Sequence, residues 1–245
     1  MKDYARVAEQ LTKWLANEVK NAGASGLVVG LSGGIDSALV GALAKKTFPD
    51  NCLGVLMPCQ SNPADLDDAR LVAEHLQLPY FLVDLTGPYA QLVQQLTQSL
   101  GKAPEGLAVS NIKPRLRMIT LYSIAATHNY LVAGTGNRSE AYVGYFTKYG
   151  DGGTDLWPIV GLVKSQVREL ASFLGVPEKI VHREPSAGLW PGQTDEKEMG
   201  LTYEELDRYL LTGEGPVEVI AKIELLHKKS VHKRALPPSP EIKWS

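Results

Sequence analysis

The chain has 245 residues, 44% hydrophobic and 21% charged, which is the balance of a globular protein with enough apolar material for a sizeable core. A formal net charge of −2 supplies no overall attraction to nucleic acid or to an anionic membrane. The polar start MKDYARVAEQ lacks the apolar heart of a signal peptide, and no apolar run approaches membrane-spanning length. A cytoplasmic location is therefore expected. Cys52 opens an apolar run and Cys59 follows Pro58, so both read as reduced packing residues rather than as a disulfide or a metal site.

Tyr4, Val7, Leu11, Trp14, Leu15 and Val19 share one face at helical spacing, which predicts a helix over residues 4–20. Apolar runs at 26–31, 51–57, 80–85 and 130–134 predict buried strands. Helices are expected after the first strand through Lys46, and at 65–77, 89–99 and 110–128, with Pro114 in the first turn of the last or at a kink in it. Residues 135–163 are rich in Gly, Thr and Asp. Beyond them a helix is expected at 164–174, an aperiodic loop at 183–200, and helices near 202–211 and 216–229. A Pro-rich tail, 235–245, closes the chain, and the whole reads as one domain over 1–245. Buried strands alternating with helices, without hairpin dipeptides, predict an α/β fold: a Rossmann-like, doubly wound parallel sheet with helices on both faces. Ligands of such folds sit beyond the carboxyl ends of the strands, where strand order reverses.

The first strand runs into Ser32-Gly-Gly-Ile-Asp-Ser37. Two glycines let the backbone turn tightly and approach an anion, and the next helix adds free N–H donors and the positive end of its dipole. Ser32 and Ser37 can donate hydroxyl hydrogen bonds to phosphate. Asp36 would repel a bare phosphate and makes sense with Mg²⁺ between the two. The lysine of a Walker A loop is absent. A bare Gly-Gly turn with Asp36 as a helix-start acid is the plainer alternative, and the strand–loop–helix setting of the hexapeptide favours phosphate.

That hexapeptide resembles the pyrophosphate-binding loop of the N-type ATP pyrophosphatases, a superfamily with an adenine nucleotide alpha-hydrolase-like fold. Gly134-Thr-Gly-Asn-Arg-Ser-Glu140, Thr147-Lys-Tyr-Gly-Asp-Gly-Gly153, Lys164-Ser-Gln-Val167, Pro185-Ser-Ala187, Gln193-Thr-Asp-Glu196 and His232-Lys-Arg234 follow in order. The ordered set, spanning nearly the whole chain, resembles the ammonia-dependent NAD synthetase family. The resemblance implies ATP contacts at Gly30, Leu31, Ser32, Gly33, Gly34, Ile35, Asp36, Ser37, Thr135, Lys164 and Ser186. It implies Mg²⁺ ligands at Asp36 and Glu140, with Asp36, Glu140 and Lys164 carrying the chemistry. Deamido-NAD contacts are implied at Arg115, Lys148, Asp155, His232 and Lys233. Arg117, two residues on, competes with Arg115 for that role. Lys164 opens a helix, where a lysine is electrostatically misplaced unless it serves an anion.

The implied reaction is amidation of deamido-NAD by ammonia, with ATP adenylating the nicotinate carboxylate and pyrophosphate leaving. The 183–200 loop is expected to move as a lid over the acyl adenylate. The chain starts about one helix before the phosphate loop, so ammonia rather than glutamine is the expected donor. A homodimer is implied by the resemblance; a nucleic-acid partner is not expected, since the basic run His227–Arg234 carries no interleaved aromatics. A tRNA-thiolating enzyme would want cysteines in catalytic positions, and a nucleotide sensor would need no paired carboxylates.

Overall fold

The computed structural model describes residues 3–186, 188–190 and 192–242. Ala187 of the Pro185-Ser-Ala stretch and residues 243–245 of the expected tail lie outside them. Helix α1 (Tyr4–Asn21), capped by Asp3 at the amide of Arg6, leads into β1 (Gly26–Gly30) and α2 (Ile35–Thr47). The alternation continues through β2 (Cys52–Leu56), α3 (Pro63–His75), β3 (Tyr80–Leu82) and α4 (Thr86–Leu100). A single turn, α5 (Leu107–Ser110), precedes α6 (Ile112–His128) and β4 (Tyr130–Ala133). Shorter helices then dominate: α7 (Arg138–Val143), α8 (Lys164–Phe173), α9 (Glu178–Val181), α10 (Asp195–Met199), α11 (Tyr203–Thr212) and α12 (Val217–Lys229).

All strand pairs are parallel, in the order β3-β2-β1-β4. Strand order reverses between β1 and β4, so the crevice at their carboxyl ends is the expected ligand position. Residues alternate across the sheet as the pleat requires. Leu27 and Val29 enter one core with α1, α2 and α8, while Val28 and Val132 enter the other with α4 and α6. Helix α2 is buried from Ile35 to Ala44 save Asp36, which is why it shows no polar stripe. A third core joins Val163, Leu206, Leu210 and Ile223 in a lobe of C-terminal helices.

Three features differ from the sequence expectation. Strand β3 is not buried: Phe81 is 47% and Leu82 48% exposed, because the strand order puts it at the sheet edge. The predicted helix at 110–128 is broken at Asn111, and Pro114 sits at the third position of α6, where no helical N–H is owed. Short helices α7 and α10 fall in stretches whose composition suggests loop; each is too brief for a helical period to emerge.

Candidate active site

Between β1 and α2 the chain turns at Gly33, with φ +78°. A Cβ there would stand 2.6 Å from the Asp65 carbonyl oxygen and 2.9 Å from Asp68 Cβ, so only glycine lets the loop lie against α3. The Ser37 hydroxyl donates to the Gly34 carbonyl at 2.9 Å and accepts from Ser32 N–H at 3.2 Å, while Ser32 Oγ accepts from Gly34 N–H at 3.2 Å. Helix α2 starts at Gly34 without a side-chain cap. Its first-turn amides remain for an anion.

Asp36 in that turn meets two residues from distant elements. Its Oδ1 accepts from Asn137 Nδ2 at 2.8 Å, and its Oδ2 from Lys164 Nζ at 2.5 Å. The same ammonium reaches Glu140 Oε1 at 3.3 Å. Glu140 is held by a reciprocal cap: its N–H donates to Asn137 Oδ1 at 3.0 Å, and its Oε2 accepts Asn137 N–H at 3.3 Å. Behind it the Tyr203 hydroxyl bridges Glu140 Oε1, at 3.2 Å, and Asp195 Oδ2, at 2.9 Å. Lys164, only 2% exposed, lies 4.9 Å from the Tyr203 ring centroid.

Three acids thus gather around one base. Burial, and then the charge of Asp36, push the Glu140 carboxyl up to about 8. Burial raises Asp195 as well. Burial works against the Lys164 ammonium, yet Asp36 and Glu140 together carry its pKa upward, and it stays charged. The pair Asp36 and Glu140 is a hard-oxygen set already gripping a cation, which suits Mg²⁺. Among the described residues no group of three or more His, Cys, Asp or Glu is placed to hold a metal, so further ligands would have to be phosphate and water. A pH dependence follows. The raised Glu140 keeps its proton below its folded pKa and must release it to bind a cation. Affinity for ATP with Mg²⁺ is therefore expected to tighten as pH rises, by up to about tenfold per unit, and to level off above about 8. Titration calorimetry across pH 6–9 checks this; a flat profile contradicts it.

A cavity of about 580 Å³ opens beside this cluster, beyond the carboxyl ends of β1, β2 and β4. Gly30, Leu31, Ser32, Gly34, Arg115, Thr135, Lys148, Ser186, His232 and Lys233 all line it. Gly33, Ile35, Asp36, Ser37, Glu140 and Lys164 are not among its lining residues. Arg117 lines it too, but its guanidinium is spent on the Met57 carbonyl at 3.2 Å and Ser61 Oγ at 3.3 Å. Arg115 is exposed, with one contact at 3.4 Å to the Lys148 carbonyl. The structure therefore leaves Arg115 the freer of the two. Lys148 donates to the His232 carbonyl at 2.6 Å, and Lys233 to the carbonyls of Gly144 and Phe146, both at 2.7 Å. Asp155 is not in the lining: its oxygens accept from Val132 N–H at 2.8 Å and the Tyr122 hydroxyl at 3.1 Å.

Arg183, Ser186, Gly188, Leu189, Gln193 and Glu198 of the 183–200 segment line the cavity, and the segment contains α10. Arg183 ties its start to the phosphate loop and α3, donating to the Gly33 carbonyl at 3.2 Å and Asp68 Oδ2 at 2.8 Å and pairing with Asp65. The buried Lys113 donates to the Leu189 carbonyl at 2.8 Å, and Gln193 Nε2 to Glu198 Oε2 at 2.7 Å. Ser186 turns its hydroxyl inward to the Gln193 carbonyl at 2.7 Å. Sequence reasoning missed Asn137, Arg183, Lys113, Asp195 and Tyr203 as site residues. Only Asn137 carried a legible local signal, the cap spacing to Glu140.

A parallel α/β sheet whose first strand feeds an uncapped, glycine-turned helix start, with paired carboxylates across the strand-order reversal, has the architecture of a nucleotide-binding protein. Comparison with known proteins narrows this class. The chain matches the NAD synthase family over residues 7–237 and belongs to it. It is 56% identical over 234 residues to the NH(3)-dependent NAD(+) synthetase of Carboxydothermus hydrogenoformans, covering 96% of each chain. Among solved structures it superposes on NMN synthetase from Francisella tularensis with a TM-score of 0.93 and 39% identity, covering 99% of this chain and 100% of that one. NH3-dependent NAD synthetase from Campylobacter jejuni gives a TM-score of 0.80 at 32% identity, covering 98% and 100%.

Proposed function

We propose that this chain amidates the nicotinate carboxylate of deamido-NAD with ammonia, consuming ATP and releasing AMP and pyrophosphate. The observation that carries the reading is the convergence of Asp36, Glu140 and Lys164 beside the uncapped start of α2, within a chain of the NAD synthase family. A carboxylate oxygen is too poor a leaving group for ammonia to displace. Its attack on the α-phosphorus of ATP, breaking the bond to pyrophosphate, makes an acyl adenylate. The ammonia lone pair then forms the C–N bond, the acyl–oxygen bond to AMP breaks, and nitrogen sheds a proton.

The amides of Gly33 and Ile35, with Ser32 and Ser37, accommodate the departing pyrophosphate. Asp36 and Glu140 would hold Mg²⁺, and Lys164, now paired with both, would then be available to phosphate. The metal supplies charge neutralisation on the phosphates. Gly30, Leu31 and Thr135 line the nucleotide end, and Ser186 reaches phosphate once the covering segment shifts. Arg115, Lys148 and His232 receive the second substrate. Lys233 and Asp155, already engaged by backbone, position that wall rather than touch the reacting atoms. No side chain acts as a covalent nucleophile; alignment and electrostatics supply the rate.

A homodimer accords with apolar side chains left uncovered on β3, α4 and α6, among them Phe81, Leu82, Leu92, Leu100 and Ile119. A cytoplasmic location accords with two free, buried cysteines, and no described helix is long and apolar enough to cross a membrane.

A second reading is favoured by one observation, the TM-score of 0.93 to a structure described as NMN synthetase. On it the same chemistry acts on the mononucleotide. Steady-state amide formation from deamido-NAD and from nicotinate mononucleotide, each with saturating ATP and ammonium, separates the two. A higher kcat/KM for deamido-NAD is the expected result, and a higher value for the mononucleotide would transfer the assignment.

A further inference from the structure

Asp207 lies in α11, outside the phosphate loop and the metal pair, yet it is 5% exposed and uses both carboxylate oxygens. Oδ1 accepts from Ser139 Oγ at 2.6 Å and from Lys164 N–H at 3.2 Å, and Oδ2 accepts from Ser165 N–H at 2.7 Å. Ser139 Oγ also receives Lys164 N–H at 3.1 Å. Helix α8 is preceded by Val163, whose side chain has no acceptor. Asp207 therefore caps α8 from another helix, on its first two amides.

Two consequences meet at the site. Lys164 opens α8, where the helix dipole repels a cation, and a carboxylate at the same end offsets that repulsion. Ser139 adjoins Glu140 in α7, so one carboxylate grips both the neighbour of Glu140 and the backbone of Lys164. We propose that Asp207 is a positioning residue that sets the separation of the Glu140 carboxylate and the Lys164 ammonium, 3.3 Å, and so the geometry offered to Mg²⁺ and ATP. It touches neither group's reacting atoms. The inference rests on the roles given to Glu140 and Lys164 above. Its neighbours Leu206 and Leu210 anchor α11 in the third core, so α11 has an anchor independent of this carboxylate.

Asp207→Asn keeps the shape but turns an N–H donor toward donors. The test measures Mg²⁺-dependent ATP binding by calorimetry, and pyrophosphate release with deamido-NAD, on full-length protein whose fold is verified by circular dichroism. Both are expected to weaken on the order of 10- to 100-fold, with KM for deamido-NAD unchanged. Ser139→Ala is expected to move ATP binding in the same direction by less, because Lys164 N–H keeps Asp207. Folded Asp207→Asn with wild-type ATP binding overturns the proposal, as does an equal loss for both substrates. Should Asp207→Asn not fold, Ser139→Ala decides: unchanged ATP binding overturns the proposal. A wild-type chain that releases no pyrophosphate from deamido-NAD refutes the functional reading instead, and ATP binding still judges Asp207.

Discussion

Replacing Asp36 by alanine is expected to abolish pyrophosphate release while leaving the protein folded. Asp36 joins the start of α2 to Asn137 and Lys164 through its two carboxylate oxygens. Without it one of the two proposed metal ligands is gone, and Lys164 loses its shorter contact. A loss of at least ~10³-fold in rate is expected, since a single preorganised electrostatic contact is worth about 10²–10³. The fold should survive because competing effects offset each other. Asn137 loses an acceptor, but the repulsion that Asp36 exerts on Glu140 is relieved, so the Glu140 pKa falls from about 8. Lys164 keeps Glu140 as its partner. The net change in stability should stay within about 2 kcal/mol. Pyrophosphate release alongside a thermal melt reads both. Wild-type rates in a folded Asp36→Ala protein would remove Asp36 from the mechanism.

Gly33→Ala is expected to cost stability and ATP binding together, where Gly34→Ala costs little of the former. At Gly33 the backbone is left-handed, φ +78°, and a Cβ would meet the Asp65 carbonyl at 2.6 Å. A left-handed L-residue costs ~1–2 kcal/mol and a backbone overlap ~1–3 more, so a fall in Tm of roughly 10 °C is expected. The loop must lift from α3 to relieve the contact, which shifts its amides and disturbs the Arg183 anchor on the Gly33 carbonyl. At Gly34 a Cβ meets only Ser32 Oγ, at 3.3 Å, and Ser32 can rotate. Equal melting temperatures for the two variants would show that the loop does not depend on the conformation of residue 33.

The sheet, the glycine turn after β1 and the approach of Asp36 to Glu140 were legible because each is written locally, as an apolar run, a contiguous hexapeptide or an acid after a strand. Lys164 was legible because a lysine at a helix start is out of place. What was not legible depends on elements meeting across the fold. The exposure of β3 follows from strand order, which no single strand encodes. Tyr203, and Asp195 through the Tyr203 hydroxyl, meet Glu140 only once the C-terminal helices pack on α7. Asp207 caps a helix more than forty residues before it, a contact with no spacing rule. That Met57 and Ser61 occupy the Arg117 guanidinium and leave Arg115 the freer is likewise a product of the fold. Asp155 carries the resemblance in sequence, yet β4 and Tyr122 claim both its oxygens.

On the proposed function, one chain both adenylates the nicotinate carboxylate and hands it to ammonia. A two-stage single-turnover experiment tests it most directly. Enzyme, ATP, Mg²⁺ and deamido-NAD are mixed without a nitrogen source and pyrophosphate is followed; ammonium or glutamine is then added and NAD⁺ quantified. A burst of pyrophosphate near one per active site is expected, followed by NAD⁺ on adding ammonium and little on adding glutamine. Folded protein that gives no burst, or a burst whose product ammonium cannot convert to NAD⁺, would contradict it.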